Sequence, residues 1–180
     1  KIGVLCLAAS PKIEDSEFVE NETAVRISGA FSKPSLLRNA VHKQKGAAVV
    51  IESGAQPLLE ENQIRDNDRE GILVRAASPV ISRNVVARNR GVGVVLKASQ
   101  ARVRENNLAD NQPLDMMGES TGEAVNARDN WWGSVKGLDV LKRLQGRIDV
   151  ATVLNAPYPE GKSLSLPILS QNLEGLMTAD

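Results

Sequence analysis

The chain has 180 residues, with 22 Lys plus Arg and 22 Asp plus Glu, so its formal net charge is zero; it is 42% hydrophobic but only 3% aromatic. This length suits one domain with a real core. The lack of a basic excess argues against a nucleic-acid partner and against a polybasic membrane-surface binder. No apolar run approaches the roughly eighteen residues that a membrane-spanning helix needs.

Cysteine and histidine each occur once, as Cys6 and His42. A single cysteine excludes an intrachain disulfide and a cysteine-rich metal site. A single histidine argues against a multi-histidine metal centre and against a Ser-His-Asp enzyme with a spare base. We therefore expect neither a metal nor a cofactor. The first residue is Lys1 rather than Met, which suggests a mature or trimmed segment of a longer protein.

Proline marks an internal repeat. Pro11, Pro34, Pro57 and Pro79 are spaced by 23, 23 and 22 residues, and Ala101 follows in the same phase. Apolar residues occupy the positions two and seven residues after this anchor in every copy, which are Ile13, Leu36, Leu59, Ile81 and Val103, then Phe18, Val41, Ile64, Val86 and Leu108. Repeats of this length indicate a solenoid.

The segment before each anchor alternates with period two, which is typical of a strand. The alternating residues predicted to point inward are Val4, Cys6 and Ala8, then Ile72, Val74 and Ala76, then Val94, Leu96 and Ala98. Each copy thus holds three very short strands separated by bends. No copy can bury its apolar residues alone, and the connections leave no room for helices. We predict an all-β, right-handed, single-stranded parallel β-helix of about six coils, each of about 22 residues.

Amide side chains fill two further columns, five and ten residues after the anchor. The asparagines in these columns are Asn39, Asn62, Asn84 and Asn106, then Asn21, Asn67, Asn89 and Asn111. Asparagine tolerates left-handed backbone at a bend, and stacked amides can hydrogen-bond to one another. We predict structural asparagine ladders. Cys6 shares a column with Val74 and Leu96 and is expected to be a buried small hydrophobe rather than a reactive thiol.

After an irregular coil over residues 112–130, the chain reads Asp129-Asn130-Trp131-Trp132-Gly133. Here it resembles the right-handed β-helix proteins of the pectate-lyase-like superfamily, many of which end the solenoid with an Asn-Trp-Trp-Gly motif. These include secreted and periplasmic carbohydrate-binding or sugar-hydrolase-like domains and the periplasmic copper-reductase maturation protein. The resemblance covers roughly residues 1–157. It implies the fold and a periplasmic or extracellular location, but no single activity.

The C-terminal part is expected to close the solenoid. An open end exposes a core and unpaired strand edges, so one tryptophan should plug the last coil, while Trp131 or Trp132 could instead offer a sugar-stacking platform. Residues 138–144 predict a short amphipathic helix with Leu138, Leu141 and Leu144 on one face. The predicted divisions are a β-helix over residues 1–133, a cap of helix plus strand over 134–157, and an extended tail over 158–180.

Charges alternate in sign from coil to coil in three outward columns. The columns are Asp15, Arg38, Glu61, Arg83 and Glu105; then Glu20, Lys43, Asp66, Arg88 and Asp110; then Glu22, Lys45, Asp68 and Arg90. Opposite charges should face each other in stacked coils, and a slip by one coil would place acid on acid. We expect these pairs to be a salt-bridge ladder first of all.

Asp66 and Asp68 form the best acid pair, flanked by Lys43, Arg88 and further cations. The alternative hypothesis is a carboxylate dyad in a basic frame. The candidate ligand surface comprises His42, Arg65, Asp66, Asp68, Arg88, Trp131 and Trp132. No catalytic residue is assigned, because the sequence shows no nucleophile motif, phosphate loop or metal-ligand spacing.

The preferred hypothesis is a non-catalytic binding or scaffold domain of the cell envelope or extracellular space that contacts polysaccharide or a protein partner. One alternative is a lyase, hydrolase or epimerase acting on polysaccharide. Such enzymes need converging carboxylates or an acid cluster that holds calcium, whereas most acids here have a cation one coil away. Another alternative is a structural segment that stacks end to end or forms homo-oligomers.

Overall fold

A computed structural model describes residues 1–119 and 123–166. The elements in chain order are β1 (Ile2–Leu7), β2 (Lys12–Glu14), β3 (Glu17–Val19), β4 (Thr23–Ser28), β5 (Ser35–Leu37), β6 (Ala40–His42), β7 (Val49–Glu52), β8 (Leu58–Glu60), β9 (Gln63–Arg65), β10 (Ile72–Arg75), β11 (Val80–Ser82), β12 (Val85–Ala87), β13 (Val94–Lys97), β14 (Arg102–Arg104), β15 (Asn107–Ala109), β16 (Met116–Glu119), β17 (Val125–Asn126), α1 (Gly137–Leu141), β18 (Leu144–Gly146), β19 (Ile148–Asp149), β20 (Thr152–Leu154) and β21 (Ser163–Ser165).

The strands stack into three parallel sheets that form the sides of a β-solenoid, as the repeat predicts. Sheet A runs in the order β1-β4-β7-β10-β13-β16-β18. Sheet B contains β2, β5, β8, β11 and β14, and sheet C contains β3, β6, β9, β12 and β15. The register is one coil per repeat, with Ile27 opposite Ile51 and Ile51 opposite Val74.

The solenoid has about seven turns rather than the six expected. Parallel stacking continues past residue 133, where β18 joins sheet A and β19 pairs with β17. These last strands do not keep the spacing of the earlier repeats, so the periodicity of the sequence does not reveal them. The tail begins differently again, because β21 returns antiparallel to β20. The predicted tail residues Pro167 and Ile168, with the rest of 167–180, lie outside the described residues.

One continuous core fills the solenoid, and it contains the inward columns of the sequence. Ile51, Leu59, Ile64, Ile81 and Leu108 are all fully buried. Cys6 is also buried, at 2% exposure, which confirms its expected role as a small core residue. Burial raises the pKa of its thiol, because a buried thiolate loses its hydration.

Two local expectations are wrong. Ala8, Ala76 and Ala98 do not point inward; each has a positive φ and lies exposed at the bend between sheets A and B. The left-handed residue at the other two bends is not asparagine but the charged residue just before it. These residues are Asp15, Arg38, Glu61, Arg83 and Glu105 at one bend, and Glu20, Lys43, Asp66, Arg88 and Asp110 at the other. The asparagine keeps ordinary backbone and turns its amide inward.

Candidate functional site

Two hydrogen-bonded ladders run along the solenoid and position the surface residues beside them. In the first ladder, each asparagine donates from Nδ2 to Oδ1 of the asparagine in the next coil, at 2.9–3.0 Å. It runs through Asn39, Asn62, Asn84, Asn106 and Asn130. Backbone carbonyls accept the other amide protons, such as Leu59 O from Asn84. The buried amides of the ladder thus have their hydrogen bonds satisfied, and all of their Nδ2 donors point in the same direction along the solenoid.

The second ladder ends in a carboxylate. Asn67 donates to Asn89 and Asn89 to Asn111, both at 2.8 Å, and Asn111 then donates to Asp115 Oδ1 at 2.9 Å. Asp115 has no exposed surface. Arg143 covers it, with Nε 2.8 Å from Oδ2. A carboxylate can only accept hydrogen bonds, so it terminates a chain of donors that all point toward the C-terminal end.

A charged ridge lies on the surface directly outside the second ladder. It comprises Lys43, Asp66, Arg88 and Asp110 at the end of sheet C, with Lys45, Asp68, Arg90 and Gln112 two residues further on. A cavity of about 330 Å³ lies on this ridge and is lined by Lys43, Asp66, Asp68, Arg88 and Arg90. The ladder fixes the coil register, and the register brings these side chains together although neighbouring members of each row are 22 or 23 residues apart in sequence.

Arginine engages both acids of the ridge cavity. Arg88 binds Asp66 through two hydrogen bonds of 2.8 Å, and Arg90 lies 3.2 Å from Asp68. The hydrogen bond from Arg88 holds the pKa of Asp66 below its usual range, and the charges of Arg65 and His42 act in the same direction. Asp66 is therefore a stable carboxylate, which suits hydrogen-bond acceptance and does not suit proton donation.

The other bend carries a similar but separate network. Arg38 binds Asp15 at 2.8 Å. Arg83 forms two ion pairs, one of 2.9 Å with Glu105 and one of 3.0 Å with Glu60. The alternation of charge thus produces real ion pairs, although not every residue in a column has one. In the described part of the chain, Lys43 and Glu61 form no ion pair within 4.0 Å. The guanidinium groups of the arginines reach acidic side chains in the neighbouring coil, whereas the side chains of Lys43 and Glu61 stay in solvent.

The two tryptophans separate to opposite sides of the last sheet C coil. Trp132 follows the inward column that contains Leu108, and it is 2% exposed within the core. Trp131 pairs with Asn107 in register and is half-buried on the outer face of the sheet. The expected plug is therefore Trp132, while Trp131 is the tryptophan whose position suits contact with a ligand. Tyr158 lies nearby, because its backbone N–H donates to Asn107 Oδ1 at 2.7 Å.

The cap differs from the expected helix. α1 is shorter than residues 138–144, and Val140 is its buried residue. Leu138 is 66% exposed, and Leu144 belongs to β18. The three-residue spacing of leucines therefore does not define the buried face: Val140 is buried and Leu141 packs partly buried against the core, whereas Leu138 lies in solvent.

A second cavity, of about 400 Å³, lies where the ridge meets the cap. Its wall includes Asp110, Asp115, Trp132, Asp139 and Arg143. The pKa of Arg143 is raised, chiefly by its hydrogen bond to Asp115. Asp110 also belongs to the charged ridge, so the two cavities lie along one line on the surface.

Comparison with known proteins agrees with this architecture. Residues 3–130 match a family described as the right handed beta helix region. The chain belongs to this family. No curated protein and no solved structure matches it significantly. The β-helix family accounts for the coils and ladders, but it does not assign an activity to the cavities.

The β-helix brings some predicted site residues together and separates others. Asp66, Asp68 and Arg88 share the ridge cavity, and the charges of His42 and Arg65 reach Asp66. His42 also lies 2.8 Å from Glu17 through Nε2. Trp131 lies further toward the C terminus on the outer face of sheet C, and Trp132 lies in the core.

Sequence reasoning placed one residue of the cap cavity wall, Trp132, on the candidate ligand surface and missed the others. Asp115 and Arg143 lie 28 residues apart in segments where the repeat is lost, so no column connects them. Asp139 comes from α1, whose bounds were expected elsewhere. The one sequence signal for this cavity was Trp132, which lies 24 residues, about one repeat, after the inward residue Leu108.

In residues 1–119 and 123–166, no three or more His, Cys, Asp or Glu side chains are placed to hold one metal ion. Nor does any helix in those ranges have the length and hydropathy needed to cross a membrane.

Proposed function

We propose that this β-helix is a non-catalytic binding domain whose charged ridge contacts a polysaccharide, and that it works in the periplasm or outside the cell. The observation that carries the proposal is the ridge itself, a straight row of polar groups with two cavities along it. Coils stack about 4.8 Å apart, so Asp66 and Asp110 are about 10 Å apart along the axis. A linear polymer of hydroxylated units can contact both cavities.

The chemistry of the ridge cavity suits hydroxyl groups. Asp66 and Asp68 are hydrogen-bond acceptors, whereas Lys43, Arg88 and Arg90 are donors. The side chain of Arg90 is 79% exposed, so much of its guanidinium faces solvent. A sugar hydroxyl both donates and accepts, and alternating charges offer it partners of both kinds without favouring a strongly charged polymer.

The paired carboxylates support binding rather than catalysis. A glycoside hydrolase needs one carboxyl group with a raised pKa to protonate the leaving oxygen. Asp66 has a lowered pKa, because Arg88 stabilises its charged form. Its bidentate pairing also occupies the two oxygens that would attack or deprotonate a sugar.

A glycan array tests the proposal with matched variants. The wild-type protein should retain at least one class of polysaccharide, and the double variant Lys43→Ala/Arg90→Ala should lose at least tenfold in affinity. Arg38→Ala, an exposed arginine at the other bend, should leave binding unchanged. New reducing ends or the absorbance of an unsaturated product from any retained glycan would overturn the non-catalytic assignment. If the protein retained no glycan and captured a protein instead, the ligand of the ridge would be a protein partner rather than a polysaccharide.

A second candidate function, self-assembly, is favoured by the first coil. Leu5 and Leu7 are 50% and 61% exposed, and Phe31 is 82% exposed. Packing of a second copy against these exposed apolar side chains would remove them from water. Light scattering should then show a mass that rises with concentration, and Leu5→Lys/Leu7→Lys should abolish the rise; a monomer at all concentrations would exclude it.

A further inference from the structure

The charged ridge presents its free polar groups in a fixed order along the solenoid axis. Lys43 is exposed and forms no ion pair with a described residue. One coil further on, Asp68 accepts through Oδ1 from Arg90 Nη1, which lies in the next coil at 3.2 Å. Among the described residues, Oδ2 of Asp68 and both Nε and Nη2 of Arg90 have no hydrogen-bond partner. Three successive coils of the ridge cavity therefore present a donor, an acceptor and a donor.

This order has a period of two coils and follows a straight line. Lys43, Asp66 and Arg88 have φ values of 55°, 57° and 53°, so the backbone turns in the same way at this bend in each coil. Backbone hydrogen bonds, such as that from Lys43 N to Asp66 O at 3.0 Å, hold the coils in register. Each coil advances by about 4.8 Å, so the two donor coils are about 10 Å apart, with the acceptor coil midway between them.

A β-1,4-linked chain of glucose-like units has the same alternation. Its successive units are turned over by half a rotation, and the length of a unit is close to one coil step. One edge of each unit carries two neighbouring hydroxyl groups, which can donate, whereas the opposite edge carries the ring oxygen, which can only accept. The side of the chain that faces the ridge therefore alternates between donor and acceptor edges. An α-1,4-linked or β-1,3-linked chain winds helically, so it does not return the same edge to a straight ridge at every second unit.

We propose that the ridge binds an extended, unbranched β-1,4-linked glycan of glucose-like units, which lies along the solenoid axis with one unit on each coil. The ring-oxygen edges face Lys43 and Arg90, and the hydroxyl edge of the unit between them faces Asp68. The cavity that these residues line, of about 330 Å³, is within the range of small-ligand sites. This inference rests on the proposed function, because it specifies the linkage of the polysaccharide that the same ridge contacts.

Calorimetric titration with three glucose pentamers tests the inference, because cellopentaose (β-1,4), maltopentaose (α-1,4) and laminaripentaose (β-1,3) differ only in linkage. Cellopentaose should bind more tightly by about tenfold or more, since each of the others loses at least one hydrogen bond to a charged group. Within the β-1,4 series, affinity should rise most from two units to three, where the chain first reaches both Lys43 and Arg90. Equal affinities, or no binding of cellopentaose, would overturn the inference and leave the polysaccharide proposal standing if the glycan array retains another polymer. An array that retains no glycan would refute both.

A charge swap separates the order of the ridge groups from their number. Asp68→Arg/Arg90→Asp keeps the net charge and allows the ion pair to form again, but it exchanges donor and acceptor between the two coils. The preference for cellopentaose should fall to within about twofold. Asp15→Arg/Arg38→Asp exchanges an exposed pair at the other bend and should leave the preference unchanged. A preference that survives the swap at positions 68 and 90 would overturn the inference. If circular dichroism shows that this variant does not fold, the wild-type length series decides, and no gain from two units to three rejects the inference.

Discussion

Arg143 covers the carboxylate of Asp115 at the point where the second ladder ends, with Nε 2.8 Å from Oδ2. Asp115 is fully buried, whereas the side chain of Arg143 is 31% exposed. Asp115 also accepts from the backbone and side-chain nitrogens of Asn111. A buried carboxylate is stable only when it is paired and hydrogen-bonded, and this one is both. The pair joins the last regular coil to the segment that follows α1.

Removal of either partner should destabilise the cap end. Arg143→Met leaves the buried Asp115 charge without its cation, and we expect a loss of about 2–4 kcal/mol in the free energy of unfolding, below the upper range for fully buried pairs because the arginine is partly exposed. Asp115→Asn/Arg143→Met should recover part of the loss, since asparagine can still accept from Asn111. Urea denaturation of the single and double variants measures this coupling; purely additive losses would contradict it.

An interior ladder position should be among the most sensitive in the chain. Asn84→Ala removes the Nδ2 donor to Asn106 Oδ1 and leaves the Asn62 backbone and Nδ2 donors without their acceptor. Each unsatisfied buried group costs about 1–3 kcal/mol, so we expect a total of about 2–4 kcal/mol. The exposed Asn126→Ala is the control and should cost less than about 1 kcal/mol. Equal midpoints of chemical denaturation for the two variants would refute a structural role for the ladder.

The coils can be predicted from the sequence because five copies of the repeat show the same pattern of residue types. Any one copy is ambiguous, but the alignment of Leu36, Leu59 and Ile81 in one column leaves a single period and a single inward face. The ladders are predictable for the same reason. The backbone conformation of the residues beside the ladders is harder to predict. The left-handed bend residue is Asp66 rather than Asn67, because the column shows which residue types recur but not which backbone conformation each adopts.

The cap cavity lies beyond this kind of inference. Asp115 takes the place of the next ladder asparagine, although it lies only four residues after Asn111 rather than one full repeat. Its partner Arg143 follows α1, and nothing in the spacing relates the two. A site assembled from non-repeating segments has no column to reveal it. The sequence therefore predicts the ridge, where Asp66 and Arg88 repeat in register, and misses the cavity beside it.

Charge reversal on the ridge should weaken the fold in a salt-dependent way. Asp66→Lys removes the bidentate contact with Arg88 and places a cation next to it. Like charges in register are destabilising, and the site is about half exposed, so we expect a loss of about 1 kcal/mol at low ionic strength. The loss should shrink in about 1 M salt, where screening acts over about 3 Å. Glu160→Lys, an exposed reversal in the C-terminal segment, should show neither effect; a loss at Asp66 that is independent of salt would exclude an electrostatic cause.

Acid should remove the contribution of the same ion pair. Arg88 lowers the pKa of Asp66 in the folded protein, relative to about 3.9 in an unfolded chain. The folded state therefore binds its proton less readily, so the stabilisation is complete above the unfolded pKa and is lost as the pH falls through the lower, folded pKa. Asp66→Asn should be less stable than wild type above about pH 5, by less than about 1 kcal/mol because the pair is half exposed. The difference should fade below about pH 4 in thermal unfolding. An NMR titration of the Asp66 carboxyl group checks the cause directly, since a midpoint above that of an unfolded aspartate would instead indicate the raised pKa of a general acid and would reopen the catalytic alternative.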